Sequence, residues 1–138
     1  MIYILLPAYN EEKSIDQLFP KIDKILKGEM KADYHIIVCN DGSSDNTGRK
    51  LKEYSKLFPI TVIEHAINRG LGETSRDLFE KAAEISNNED IIIRMDCDDT
   101  HEPSFIPKMI EKISDGYDVV IASRFVHGGG QEGLSTYR

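Results

Sequence analysis

Ile91-Ile92-Ile93-Arg94-Met95-Asp96-Cys97-Asp98 runs from a compact apolar block directly into a pair of carboxylates. The block is dense in β-branched residues and does not alternate with polar ones, which is the pattern of a strand buried on both faces of a parallel sheet. Four further blocks share this character, at residues 2–6, 35–39, 60–64 and 118–122. Between the five blocks lie four stretches with apolar residues at helical spacing. Strand, helix, strand repeated in this way implies right-handed crossovers and an α/β fold with a doubly wound, mainly parallel sheet.

The helical stretches have readable ends. Ser14 followed by Gln17 forms a capping-box pattern ahead of the stripe Ile15, Leu18, Ile22, Ile25 and Leu26, and Gly28 marks its end. Pro20 inside that stripe predicts a kink or split, because proline has no amide hydrogen to give the helix. The second helix is expected over about residues 46–57, burying Leu51, Tyr54 and Phe58. The third is expected over about residues 73–85, burying Leu78, Phe79, Ala82 and Ile85. The fourth follows Pro103 and carries Phe105, Ile106, Met109, Ile110 and Ile113. From Ser123 onward the pattern changes to a glycine-rich tract containing Gly128, Gly129, Gly130 and Gly133, which reads as the start of a connection.

Composition narrows the function classes. The chain has 138 residues, with 17 Lys or Arg against 24 Asp or Glu, a net charge of −7. Nucleic acid and anionic lipid are polyanions, so a bulk electrostatic grip on either is disfavoured, and no nucleic-acid partner is expected. No apolar run approaches the roughly 18 residues of a membrane span, and the first residues lack a basic leader, so a soluble cytoplasmic protein is expected. Cys39 and Cys97 lack zinc-ligand spacing and read as reduced, buried thiols.

In an open α/β sheet, ligands bind beyond the carboxyl ends of the strands. Those five ends read Pro7-Ala8-Tyr9-Asn10-Glu11-Glu12, Asn40-Asp41-Gly42-Ser43-Ser44-Asp45, Asn68-Arg69-Gly70-Leu71-Gly72, Asp96-Cys97-Asp98-Asp99-Thr100-His101 and Ser123-Arg124. All are polar and turn-rich, which favours a polar ligand with several distinct groups. In extended chain Asp96 and Asp98 point to one side while Cys97 turns away, and paired hard oxygen donors suit Mg²⁺ or Mn²⁺. A solvated acidic turn at a helix start is the alternative. Asp41 can accept hydrogen bonds from a base or ribose, Tyr9 can stack on a base and Glu11 can bond to it, although a turn and a plain connector account for the same residues. Arg69, Arg124 and His101 are the cationic candidates for a phosphate group. His35, His65 and His127 show no partner pattern. The glycines match neither a Walker loop nor a dinucleotide fingerprint.

In this order, the five motifs resemble those of the inverting family 2 glycosyltransferases of GT-A fold. The resemblance spans nearly the whole chain. Within that family it is most similar to the polyprenyl-phosphate sugar transferases, typified by dolichyl-phosphate mannose synthase, through Asp98-Asp99-Thr100-His101-Glu102-Pro103 and Ser123-Arg124-Phe125-Val126 with the glycines that follow. The resemblance implies a nucleotide-diphospho-sugar donor of the GDP-mannose or UDP-glucose type, and a polyprenyl-phosphate acceptor at a membrane surface. It implies that Pro7, Tyr9, Glu11, Asp41 and Ser43 hold the nucleotide, that Asp96 and Asp98 hold Mg²⁺ or Mn²⁺ on the diphosphate, and that Arg124, with Arg69, neutralises phosphate charge. Asp98 and Arg124 are then the expected catalytic residues. Thr100 departs from the pattern, since the prenyl-phosphate enzymes often carry Gln there as a further metal contact. Family members also have a longer catalytic domain, so residues 1–138 are expected to be its donor-binding part, peripheral to a membrane in the full-length protein, with the acceptor-binding part beyond them.

Two other readings compete. One is a noncatalytic nucleotide-sugar-binding module. The other is a receiver-type signalling domain, which needs an Asp ending the third strand and a Lys ending the fifth, where this chain has residues 65–68 as His-Ala-Ile-Asn and then Ser123-Arg124.

Overall fold

The computed structural model describes residues 1–98, 100–123 and 125. The elements are β1 (Ile2–Ala8), α1 (Ile15–Asp23), β2 (Tyr34–Asp41), α2 (Thr47–Tyr54), β3 (Ile60–His65), α3 (Leu71–Ile85), β4 (Ile91–Arg94) and α4 (Ile106–Ser114). Met1–Ser104 form one compact unit and a second begins at Phe105. In the second unit, α4 buries Ile106 and half-buries Met109, Ile110 and Ile113. Among the described residues no helix is long and apolar enough to cross a membrane.

In the first unit, the four strands form one parallel sheet in the order β3-β2-β1-β4. Strands β1, β2 and β3 step in one direction and β4 returns to the far side of β1. With right-handed crossovers, α1 and α2 therefore cover one face and α3 the other. On the α3 face Tyr3, Leu5, Ile37 and Cys39 pack with Leu78 and Ala82, and Ile63 and Ile85 close the margin. The Tyr3 hydroxyl donates to the Ile85 carbonyl at 3.1 Å, so the phenol is satisfied where it emerges. On the opposite face Ile4, Leu6, Ile36 and Val38 are wholly buried, as are Leu18, Phe19 and Ile22 of α1 and Leu51 of α2. Phe19 meets the edge of Tyr54 at 5.5 Å, and Tyr54 stacks on Phe58 at 5.7 Å. Burial of each large aliphatic side chain here contributes about 1.5–3 kcal/mol, which accounts for helices whose inner faces are fully covered.

The structure corrects several expectations. The fifth block, residues 118–122, is not a strand. Among the described residues no strand pairs with it, and Val119 and Ile121 stay 75% and 79% exposed, so its β-branched composition finds no ladder to join. The capping box does not form. Ser14 is itself helical, and its hydroxyl donates to the Glu11 carboxylate at 2.7 Å. The helix runs through Pro20 without breaking, and from Lys24 it continues as a π-helical turn over Lys24–Glu29. Phe79 lies on the outer side of α3 at 48% exposure. Both cysteines are free and buried, as their sequence context indicated.

Candidate functional site

The strand order reverses beside β1, between the path that leads to β2 and β3 and the return to β4. At such a switch point the loops leaving neighbouring strands turn to opposite faces and open a crevice at the carboxyl ends. A cleft of about 340 Å³ lies there, lined by Pro7, Ala8, Tyr9 and Glu11 after β1, Asp41 ending β2, Asn68, Gly70, Leu71 and Thr74 around the start of α3, and Asp96, Cys97 and Asp98 after β4.

The loops after β1 and β2 are laced into one wall. Asn10 adopts the left-handed conformation (φ 56°), which asparagine tolerates, and its side-chain oxygen accepts from the Ser44 amide at 2.8 Å. In return the Asn10 amide donates to the Ser43 hydroxyl at 2.9 Å and the Glu11 amide donates to the Thr47 hydroxyl at 2.8 Å. Glu12 accepts from the Asn46 amide at 3.0 Å, and Asp45 accepts from the Thr47 amide at 2.9 Å and the Glu12 amide at 3.3 Å. The start of α2 is thus capped from both loops, and Tyr9, 49% exposed, is carried on a fixed backbone.

Asp41 is the buried anchor. One carboxylate oxygen accepts from the Arg69 amide at 2.8 Å and lies 2.6 Å from His65 Nδ1, and the other accepts from the Gly70 amide at 2.9 Å. Burial opposes its charge, but the Arg69 amide, His65 and the Gly70 amide together hold its carboxyl below the usual carboxylate range. The Thr74 side chain acts in the same sense, so most of the carboxylate's acceptor capacity is taken within the protein.

The acidic side of the cleft is built differently. Asp96 sits between two basic side chains, with the Arg94 guanidinium at 2.8 Å from one oxygen and His101 Nε2 at 3.4 Å from the other. The Asp96 amide donates to His101 Nδ1 at 2.9 Å, which leaves the hydrogen of a neutral ring on Nε2, facing the carboxylate. Asp98 is exposed, and one of its oxygens accepts from the Thr100 amide at 3.1 Å and hydroxyl at 2.7 Å. Cys97 turns inward, and burial pushes its thiol up. Glu11 completes the group. Burial, followed by repulsion from Asp98, Asp45 and Asp96, raises its carboxyl above the usual range despite the hydrogen bond from Ser14.

A raised acid makes a stability prediction. Ionised Glu11 is penalised only in the folded state, so the penalty is present above its unfolded pKa of about 4.3 and vanishes as pH falls below it. In metal-free buffer Glu11→Gln should therefore raise the unfolding temperature at pH 7, with the gain disappearing near pH 4. Parallel melts of the two proteins at both pH values check this.

The residues chosen from sequence separate into groups. Pro7, Tyr9, Glu11, Asp41, Asp96 and Asp98 come together on the cleft. Ser43 instead clamps the Asn10 amide, and the Arg69 guanidinium is directed to Asp77 at 2.8 Å and Glu73 at 2.9 Å on α3. Arg124 and Asp99 lie outside the described residues. Among the described residues no three His, Cys, Asp or Glu side chains close on a common point, so a cation held at Asp96 and Asp98 would complete its shell from outside the protein. The donor set fits such an ion: hard oxygens, with repulsion at Glu11 that a positive charge would relieve. Arg94 and His65 were missed. Arg94 is marked only by being two residues before Asp96 on an otherwise apolar strand. His65 had no local signal, and its partners come from strand register.

The family model described as "Glycosyl transferase family 2" matches residues 3–136. A dolichol-phosphate mannosyltransferase of Pyrococcus furiosus is 36% identical over 137 residues, 99% of this chain and 37% of that protein. A dolichyl-phosphate hexose transferase of Haloferax volcanii is 32% identical over 125 residues, 91% of this chain and 48% of that protein. The chain thus spans less than half the length of these relatives. Among solved structures, the fold is similar to S. aureus TarS 1-349 in complex with UDP, with a TM-score of 0.65 at 19% identity over 83% of this chain and 32% of that one. It is also similar to the mannosyltransferase PcManGT of Pyrobaculum calidifontis in complex with GDP-Man and Mn²⁺, with a TM-score of 0.51 at 20% identity over 70% of this chain and 27% of that one.

Proposed function

Since the chain belongs to glycosyl transferase family 2, we propose that it forms the donor-binding part of an enzyme that moves a sugar from a nucleotide-diphospho-sugar to a polyprenyl phosphate. The observation that carries this reading is the convergence of Pro7, Tyr9, Glu11, Asp41, Asp96 and Asp98 on one cleft at the switch point. Tyr9 offers an exposed ring for a base, Glu11 and Asp41 take its polar edge or the ribose, and the acidic side faces the diphosphate. The donor is of the GDP-mannose or UDP-glucose type. The names of the Pyrococcus and Haloferax relatives, both dolichol-phosphate transferases, support the acceptor class. The enzyme would work at the cytoplasmic face of a membrane as a peripheral protein.

In the reaction, an acceptor oxygen attacks the anomeric carbon opposite the diphosphate. The new carbon–oxygen bond forms as the bond to the diphosphate breaks, the electron pair leaves on the diphosphate oxygen, and the configuration inverts. A phosphate acceptor is already anionic at neutral pH and needs no base from the protein. Mg²⁺ or Mn²⁺ held by Asp96 and Asp98 would supply positive charge to the leaving diphosphate, as expected for a hard cation bound through one or two carboxylates and substrate phosphates. Arg94 and His101 hold Asp96 in place for that role. Arg124 is proposed to share in neutralising the phosphates.

The reading is tested by calorimetric titration of GDP and UDP with and without Mn²⁺. Binding of one nucleotide that tightens with Mn²⁺ is expected. No heat from either at millimolar concentration would overturn it.

A further inference from the structure

His65 ends β3 directly opposite Asp41 in the parallel register, and its side chain is only 5% exposed. Its Nδ1 lies 2.6 Å from Asp41 Oδ1 and its Nε2 lies 2.8 Å from Asp77 Oδ2. A neutral imidazole has one N–H and one lone pair, so in this setting it would aim a lone pair at a carboxylate. Only the ring carrying hydrogen on both nitrogens satisfies both contacts. The surrounding charges agree with this state. Asp41 on β2 and Glu73 and Asp77 on α3 bring three negative charges; Arg69, whose guanidinium reaches Asp77 and Glu73 and whose Nη1 also lies 3.4 Å from His65 Nε2, and Arg76, which reaches Glu73 at 2.6 Å, bring two positive ones. The remaining neighbour from β2 is Cys39, with Sγ 3.5 Å from Nε2; its thiol is pushed up to about 12, chiefly by burial, and so stays neutral.

We propose that His65 is a positioning residue for the donor site: a doubly protonated ring clamped between Asp41 and Asp77 that fixes the Asp41 carboxylate and, through it, the backbone of residues 68–70 on the cleft wall. This rests on the donor-binding reading above. Asp41 cannot rotate without giving up His65, and the Arg69 and Gly70 amides are bonded to the same carboxylate. Asp77, in turn, ties the ring to α3, whose first turn borders the cleft through Leu71 and Thr74. His65 therefore couples β2, β3 and α3 at the point where the ligand's polar groups are read.

Ring ¹⁵N NMR on the intact chain at neutral pH tests the clamp without any ligand. Both His65 nitrogens are expected at protonated-type shifts; one nitrogen in the unprotonated range would overturn the proposal. The positioning role is read from His65→Gln and the milder Asp77→Asn, each checked for a native circular-dichroism spectrum. Both are expected to weaken GDP or UDP binding, about tenfold for His65→Gln and less for Asp77→Asn. The ratio of affinities with and without Mn²⁺ should be preserved, because Asp96 and Asp98 are untouched. Asp77→Asn should also remove one ring proton. Variants that bind nucleotide as the wild type does would overturn the positioning role and leave the donor reading standing. A wild type that binds neither nucleotide would overturn the donor reading and the affinity role with it, and the ring spectrum would still decide the clamp.

Discussion

Asp98→Asn should abolish the Mn²⁺-dependent part of the thermal stabilisation that a nucleoside diphosphate confers, while the ligand-free protein melts as the wild type does. Asp98 is exposed, and the oxygen that accepts from the Thr100 amide and hydroxyl has a counterpart in asparagine, so the turn survives the change. Surface substitutions of this kind usually move stability by no more than about 0.5 kcal/mol. What is lost is one hard anionic donor. A ligand at a hundredfold excess over its Kd stabilises the folded state by about 2.7 kcal/mol, roughly 8–13 °C for a chain of this size. With Mn²⁺ absent the two proteins should respond alike; with Mn²⁺ present only the wild type should gain. Asp96→Asn is a less clean experiment, because Arg94 loses its ionic partner and His101 its carboxylate contact with the same change. Full Mn²⁺-dependent stabilisation in Asp98→Asn would remove Asp98 from the metal.

The difference between those two aspartates shows where sequence reading succeeds. The carboxylate pair was legible because it follows directly on a β-branched run, which puts Asp96 and Asp98 just past the carboxyl end of β4, although the strand itself stops at Arg94 and the chain bends at Cys97 and Asp98. The four paired strands were legible from their dense β-branched runs, although only β1 and β2 are buried along most of their length; β3 is half-buried and Ile92 of β4 is 40% exposed. Residues 118–122 carry the same composition and form no strand, because a strand needs a neighbour and composition does not say whether one is present. Side-chain direction in loops was the weaker inference. Ser43 and Arg69 stand in polar loops at the rim, but whether such a group faces the ligand or the protein depends on partners far away in sequence. Ser43 is claimed by Asn10 from the loop after β1, and Arg69 by Asp77 and Glu73 on α3. His65 is the converse case: its importance lies in being opposite Asp41 across a ladder, and no local pattern encodes that pairing.

Gly42→Ala should be among the most destabilising single-methyl additions available in this chain. Gly42 follows Asp41 with φ at +67°, a region that costs an L-residue about 1–2 kcal/mol. A Cβ built there would lie 2.4 Å from the Ile67 carbonyl carbon and 2.5 Å from the Asn68 nitrogen, both backbone atoms with no rotamer by which to retreat. Relieving such overpacking adds about 1–3 kcal/mol, so a total of about 2–5 kcal/mol is expected, a large part of the 5–15 kcal/mol that a domain typically has. The displaced segment leads directly into the Arg69 and Gly70 amides that Asp41 holds, so nucleotide affinity should fall together with stability. Gly72→Ala supplies the contrast. It lies in the first turn of α3, nothing is within 4 Å of its Cβ position, and its φ is unremarkable for a helix, so alanine should leave stability unchanged or raise it by up to about 1 kcal/mol. Urea midpoints for the two variants should therefore move in opposite directions or, at the least, only one should move. Equal midpoints would mean that the loop after β2 does not rest on the chain at Ile67 and Asn68 as closely as the structure places it.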